Sequence, residues 1–212
     1  NFNDFFFGYY SQINCLILRD FQKLNQITTN SEIGLTTSAL VTAYHDIEFS
    51  GQERGFLSKI LSEYAPISKE DLDIWIDLFG KSSTFDSNTL PEGMAKMKVD
   101  GLYNNPQNKK VFADIDEIKK VKAELILASQ TGEFLIDPTL WFSLMTDKIT
   151  IINKTAGELR KELAIATKSY YDITMGQLIG AAATWLIAII LLIVSFFMAR
   201  QFQKNVEELE NV

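Results

Sequence analysis

The strongest constraint on this chain is a run from Ile173 to Ala199 that carries no charged side chain. A bilayer core about 30 Å thick is crossed by roughly 20 apolar residues in a helix. This run is longer than that and free of proline. The alternative is the core helix of a water-soluble protein, but such helices are rarely apolar on every face for so long. The expected class is therefore a membrane-anchored protein with most of its mass on one side. Arg200 and Lys204 follow the run directly, and short basic flanks tend to stay in the cytoplasm. Lys168 on the other flank and Glu207, Glu208 and Glu210 work against that asymmetry. The expected layout is a periplasmic helical domain at 1–172, a transmembrane helix at 173–199 and the start of a cytoplasmic signalling segment at 200–212.

Composition narrows the partners. The formal net charge of −7 argues against nucleic acid. Cys15 is the sole cysteine, so no internal disulfide can form. His45 is the sole histidine, which excludes a multi-histidine metal site. The chain begins at Asn1 without a methionine or a visible signal peptide. It reads as a truncated or processed chain, with a first span expected upstream.

Most of the chain reads helical. Phe2, Phe6, Tyr9, Ile13, Leu16, Ile17, Leu24 and Ile27 fall on one stripe of a 3.6-residue helix, expected to be buried. Thr29 with Glu32 has capping-box spacing for a second helix running to about Tyr64. Ser68 with Asp71 opens a third in the same way. Residues 80–108 are rich in turn formers, with room for a short helix near Glu92–Val99. A helix from about Lys109 to Ser129, ended by Gly132, follows. Asp137-Pro138 then pairs a capping aspartate with proline at the first helical position. From Thr139 one helix is expected to lead through the membrane, with Gly157, Gly176 and Gly180 as candidate bends. The fold expected is all-α: an antiparallel, four-helix-type bundle whose last long helix continues into a single transmembrane helix.

Arg54 is the most informative polar residue. On a wheel turning 100° per residue, Thr36, Leu40, Ala43, Ile47, Arg54 and Leu61 cluster together, which puts the arginine mid-way across the face expected to be buried. Gly51 and Gly55 flank it and leave room for a backbone or a small ligand. A buried guanidinium needs a partner, and its planar fork suits a planar oxyanion. A carboxylate from another helix is the competing partner, since Glu53 is expected to point elsewhere. Asp20 is the obvious internal candidate, but a turn near Thr29 and Asn30 places it opposite Ala39. Arg54 instead falls opposite Phe5, beside Phe6, Tyr9 and Tyr10. Arg19 lies off the stripe and is expected to be solvated. Asp114, Asp116 and Glu117 alternate with Lys119, Lys120 and Lys122, which reads as a solvated face. No nucleophile elbow, phosphate loop or other catalytic constellation is present, so no enzyme and no cofactor are expected.

Three stretches together carry a resemblance: Tyr9-Tyr10-Ser11-Gln12-Ile13-Asn14; Gly51-Gln52-Glu53-Arg54-Gly55; and Phe134-x-Ile136-Asp137-Pro138-x-x-Trp141-Phe142 with Thr146-Asp147-Lys148-Ile149. In that order they resemble the nitrate- and nitrite-sensing (NIT) domain family, over roughly residues 5–172 and most closely its C-terminal half. The resemblance implies an all-α fold of two four-helix bundles, as found in bacterial chemoreceptors, histidine kinases, cyclases and antitermination regulators. It also implies a Glu-Arg-Gly-like motif in each bundle, with arginines from both contacting the anion. This chain has one such motif, so the other half of the pocket is expected from another chain or from an N-terminal part.

The resulting expectation is the ligand-sensing region of a transmembrane receptor. A small anion, nitrate or nitrite, would be held by Arg54 with Gly51, Gly55, Phe6 and Tyr9. A homodimer is expected, paired along Gly176, Gly180, Thr184 and Ala188. A cytoplasmic signalling domain would follow the chain. The alternative is a membrane-anchored helical assembly module without a small-molecule ligand.

Overall fold

Polar caps open most of the helices. In the computed structural model, which describes residues 11–27, 30–90, 92–122 and 131–210, six α-helices and no strand occur among the described residues. They are α1 (Ser11–Ile27), α2 (Ser31–Glu63), α3 (Lys69–Lys81), α4 (Met94–Tyr103), α5 (Pro106–Glu117) and α6 (Pro138–Glu210). A 3-10 turn at Ser87–Thr89 precedes α4, and a π turn at Ile118–Lys122 extends α5. The all-α expectation holds.

Asn30 caps α2 by accepting from the Ile33 amide at 3.1 Å. The cap therefore falls one residue after the expected Thr29, which lies outside the described residues; asparagine is among the strongest capping residues. Ser68 caps α3 as expected: it accepts from the Asp71 amide at 3.0 Å and donates to the Asp71 carboxylate at 2.6 Å. Asn105 caps α5 through the Gln107 amide, with Pro106 in the first turn, so this helix starts ahead of the expected Lys109. Asp137 accepts from the Thr139 amide at 2.8 Å, and α6 begins at Pro138. Residues 123–130, the expected end of the fifth helix, lie outside the described residues.

The first part of α6, up to residue 166, runs antiparallel to α2. Leu57 and Leu61 near the end of α2 share one apolar cluster with Trp141 and Met145 near the start of α6. Ala39, Leu40 and Ala43 share a second with Ile152, Ala156 and Leu159. Trp75 and Leu78 of α3 complete the first cluster, and Val99 of α4 and Leu90 the second. Where α2 ends, Tyr64 adopts a left-handed conformation at φ +47°. Gly132, at φ +78°, lies against this cap so closely that a Cβ would overlap the Tyr64 carbonyl and the Ala65 nitrogen. Only glycine meets both demands.

One expectation is corrected. Where the α1 stripe is described it is not buried: Ile13, Leu16 and Ile17 are 44, 48 and 51% exposed. α1 meets α2 by its other side, where Leu18 is buried and the Asn14 amide donates to Glu48 at 2.8 Å. An apolar stripe signals that a face wants cover; it does not say that a neighbour in the same chain supplies it.

Chain contacts divide the protein into two units, residues 1–166 and 167–212. The second is a helical stretch whose apolar residues, including Trp185, Leu192 and Phe197, are exposed. Among the described residues, the helix that contains this run is the one long and apolar enough to cross a membrane.

Candidate anion site and the polar layer beside it

The buried positions of α2 include Thr36, Ala39, Ala43, Asp46, Ser50, Glu53, Leu57 and Ile60. Their spacing alternates between three and four, a period of 3.5 rather than 3.6. A straight wheel drifts about 20° per heptad against such a seam. Carried from Thr36 to the fifties, that drift moves the buried face off Arg54 and onto Glu53. One expectation is corrected by it. Arg54, expected in the middle of the buried face, is half-buried at the edge of the seam; Glu53 points away from it, as expected, and is wholly enclosed.

Asp46, Ser50 and Glu53 fall between the two apolar clusters and form a polar layer. Lys148 of α6 enters it and pairs with Asp46 at 3.2 Å. Lys119, on the π turn, pairs with Glu53 at 2.8 Å. Ser82, at the C-cap of α3, joins the two pairs. Its hydroxyl donates to Glu53 and accepts from Lys119 at 2.9 Å, and its carbonyl accepts from Lys148. Ser50 donates to Asp46 at 3.0 Å, and the Phe85 amide donates to the other Asp46 oxygen at 3.2 Å. Burial pushes the Lys119 ammonium below its ordinary value, against the pull of Glu53, and nearby Lys148 pushes the same way as burial. Lys119 was expected on a solvated face. Its neighbours behave so, with Lys110–Asp114 and Lys120–Asp116 forming outer pairs. Ile118 and Lys119 are instead both buried at the start of the π turn, a widened turn that an α-helical wheel does not describe.

Arg54 faces a different set. Its Nη1 donates to the Thr146 hydroxyl of α6 at 3.0 Å, and Thr146 donates in turn to the Phe142 carbonyl at 2.7 Å. The guanidinium carbon lies 4.6 Å from the centre of the Phe142 ring, within the range of a cation–π contact. Arg54 Nε is buried without a partner. The two buried carboxylates of its own helix, Asp46 and Glu53, are taken by lysines. Asp20, the other candidate, is exposed and paired with Lys23 at 2.9 Å. Arg19 is exposed as well.

Of the other expected site residues, Phe6 and Tyr9 lie outside the described residues. A Cβ at Gly51 or Gly55 would meet nothing within 4 Å, so no close approach among the described residues demands glycine there. Two neighbours of Arg54 enter the sequence reading only as part of the family resemblance. Phe142 and Thr146 stand four apart on α6, a spacing that puts both on one face. The polar layer also had a signal: Asp46, Ser50 and Glu53 repeat at four and three. Nearby, His45 stacks on Phe49 with ring centres 6.0 Å apart. Burial holds its imidazole below the usual histidine value, with Glu48 opposing.

A guanidinium with an unsatisfied N–H, braced by a ring and a hydroxyl and lacking a carboxylate partner among the described residues, retains capacity for an oxyanion. No curated protein and no solved structure matches the chain significantly. The family model described as nitrate and nitrite sensing, NIT, matches residues 6–164, a stretch that contains Arg54, Phe142 and Thr146 and well over half of the chain, and the protein therefore belongs to the NIT family.

Proposed function

We propose that this chain is the ligand-sensing region of a bacterial transmembrane receptor, of the chemoreceptor or sensor-kinase type. Residues 1–172 form its periplasmic sensory domain, 173–199 its transmembrane helix and 200–212 the start of its cytoplasmic signalling segment. Nitrate or nitrite binds at Arg54, with Gly51, Gly55, Phe6 and Tyr9 around it. The observation that carries this reading is the Arg54 guanidinium, partly buried, with Nε unsatisfied and no carboxylate partner among the described residues. Membership of a sensing family, rather than a catalytic one, supports the same reading.

The route for a signal follows from who holds the arginine. Thr146 and Phe142 both belong to α6, the helix that also contains the apolar run. An anion drawn to the guanidinium competes with the Thr146 hydroxyl for its N–H groups. Binding therefore changes an interaction made by α6 itself, and a small shift of that helix against a partner helix is the simplest output. Two copies would pair along Gly176, Gly180, Thr184 and Ala188, where small residues permit close approach in lipid. A second reading, an assembly module without a ligand, is favoured by the exposed stripe Ile13, Leu16 and Ile17.

Calorimetric titration of the full chain in detergent with nitrate, nitrite and chloride separates the two. Saturable heat with nitrate or nitrite and weaker response to chloride is expected. No heat with any of the three would favour the assembly module.

A further inference from the structure

Beside the Asp46–Lys148 pair opens a cavity of about 380 Å³, within the range of small-molecule sites. Nitrate does not account for it. A three-oxygen anion is only a little larger than the about 30 Å³ that a water occupies in the liquid, and would leave most of the space empty. Arg54 does not line it either.

Its walls say what would fill it. One side is aromatic: Tyr103 stacks on Phe112 with ring centres 5.1 Å apart and planes at 12°, and Phe85 lies 5.8 Å from Tyr103. These rings are partly buried and offer apolar area to a ligand. The charges do not cancel once their partners are counted. Asp46 already accepts from Ser50, the Phe85 amide and Lys148. Asp116, also on the lining, pairs with Lys120 at 3.9 Å. Lys148 has three N–H donors, of which Asp46 and the Ser82 carbonyl take two. Lys109 is exposed, lines the cavity and makes no ion pair among the described residues. Lys109 is therefore an ammonium with no ion pair among the described residues, next to an aromatic wall.

We propose that this cavity is a second ligand site, separate from Arg54, for a small organic monocarboxylate with a ring-sized apolar body. Its carboxylate rests on Lys109 and its body against Phe112, Tyr103 and Phe85. Neither half of such a ligand suffices alone. The ammonium is solvent-exposed and attracts a simple anion weakly, and the apolar wall alone does not orient a ligand.

Benzoate is the probe. The full chain in detergent is titrated with benzoate, with acetate as charge without body and benzyl alcohol as body without charge, each corrected by a detergent-only titration. Benzoate is expected to bind at least about tenfold more tightly than either control. Lys109→Ala, an exposed change that should leave the fold intact, is expected to weaken benzoate about tenfold, the scale of one lost charge-assisted hydrogen bond. Arg54→Ala and excess nitrate should leave benzoate affinity unchanged. Absence of benzoate binding at about 10 mM, where even a millimolar site is mostly filled, would overturn the proposal. So would affinity untouched by Lys109→Ala, or loss in Arg54→Ala, which would move benzoate to the other site.

Discussion

Glu53 and Arg54 are adjacent in sequence and meet opposite surroundings. Glu53 is enclosed, its Oε2 held by Lys119 and Ser82 and its Oε1 without a partner among the described residues, whereas Arg54 is half-buried and makes no ion pair among them. Removing one member of a buried pair strands the other, typically at about 3–5 kcal/mol, while replacing both with well-packed apolar groups is often neutral. Glu53→Ala and Lys119→Ala should therefore each destabilise by about that much, and Glu53→Leu with Lys119→Met by far less than the sum. Urea unfolding of the four proteins measures this, and additive losses would mean that the two groups do not act as a pair. His45 gives the pH dependence. Its folded value lies below its ordinary one, chiefly through burial. The unfolded chain then binds the proton more readily, so stability falls as pH drops from the usual histidine value through the lowered one. Between pH 7.5 and 5 the wild type should lose more melting temperature than His45→Gln. Parallel curves would remove His45 as the cause.

At the scale of elements, the joint between the end of α2 and Gly132 is the least tolerant. Gly132→Ala would press a Cβ into the Tyr64 and Ala65 backbone at a positive φ, with no flexible side chain to yield. A loss of about 1–3 kcal/mol is expected, against no loss, or a gain of up to about 1 kcal/mol, for the helical Gly80→Ala, where nothing lies within 4 Å. Equal melting temperatures for the two variants would contradict the close approach. The helices themselves were legible because caps are local: Ser68 and Asp137 announce α3 and α6 from a few neighbouring residues. The buried face of α2 was less legible because it depends on accumulated phase. A period of 3.5 read as 3.6 is harmless over one turn and misplaces Arg54 after five. Lys119 was hidden for a related reason, since a π turn breaks the periodicity from which faces are read. The outward stripe of α1 was illegible in principle, because periodicity identifies an apolar face without naming its neighbour.

At the scale of the whole molecule, a domain of a sensing family is followed by a helix long and apolar enough to cross a membrane. If two copies pair as proposed, cysteines scanned from Gly176 to Ala188 in a Cys15→Ser background should crosslink most at 176, 180, 184 and 188. Maxima on the Leu178–Trp185 face, or a flat profile, would exclude that pairing. The proposed site for the anion is Arg54. The most direct measurement is nitrate titration of the full chain and of its Arg54→Ala and Arg54→Lys variants, with each fold checked by circular dichroism. The account predicts saturable binding by the wild type, weakened binding in Arg54→Lys because the planar fork is lost, and none detectable in Arg54→Ala. Nitrate affinity unchanged in a folded Arg54→Ala would contradict it.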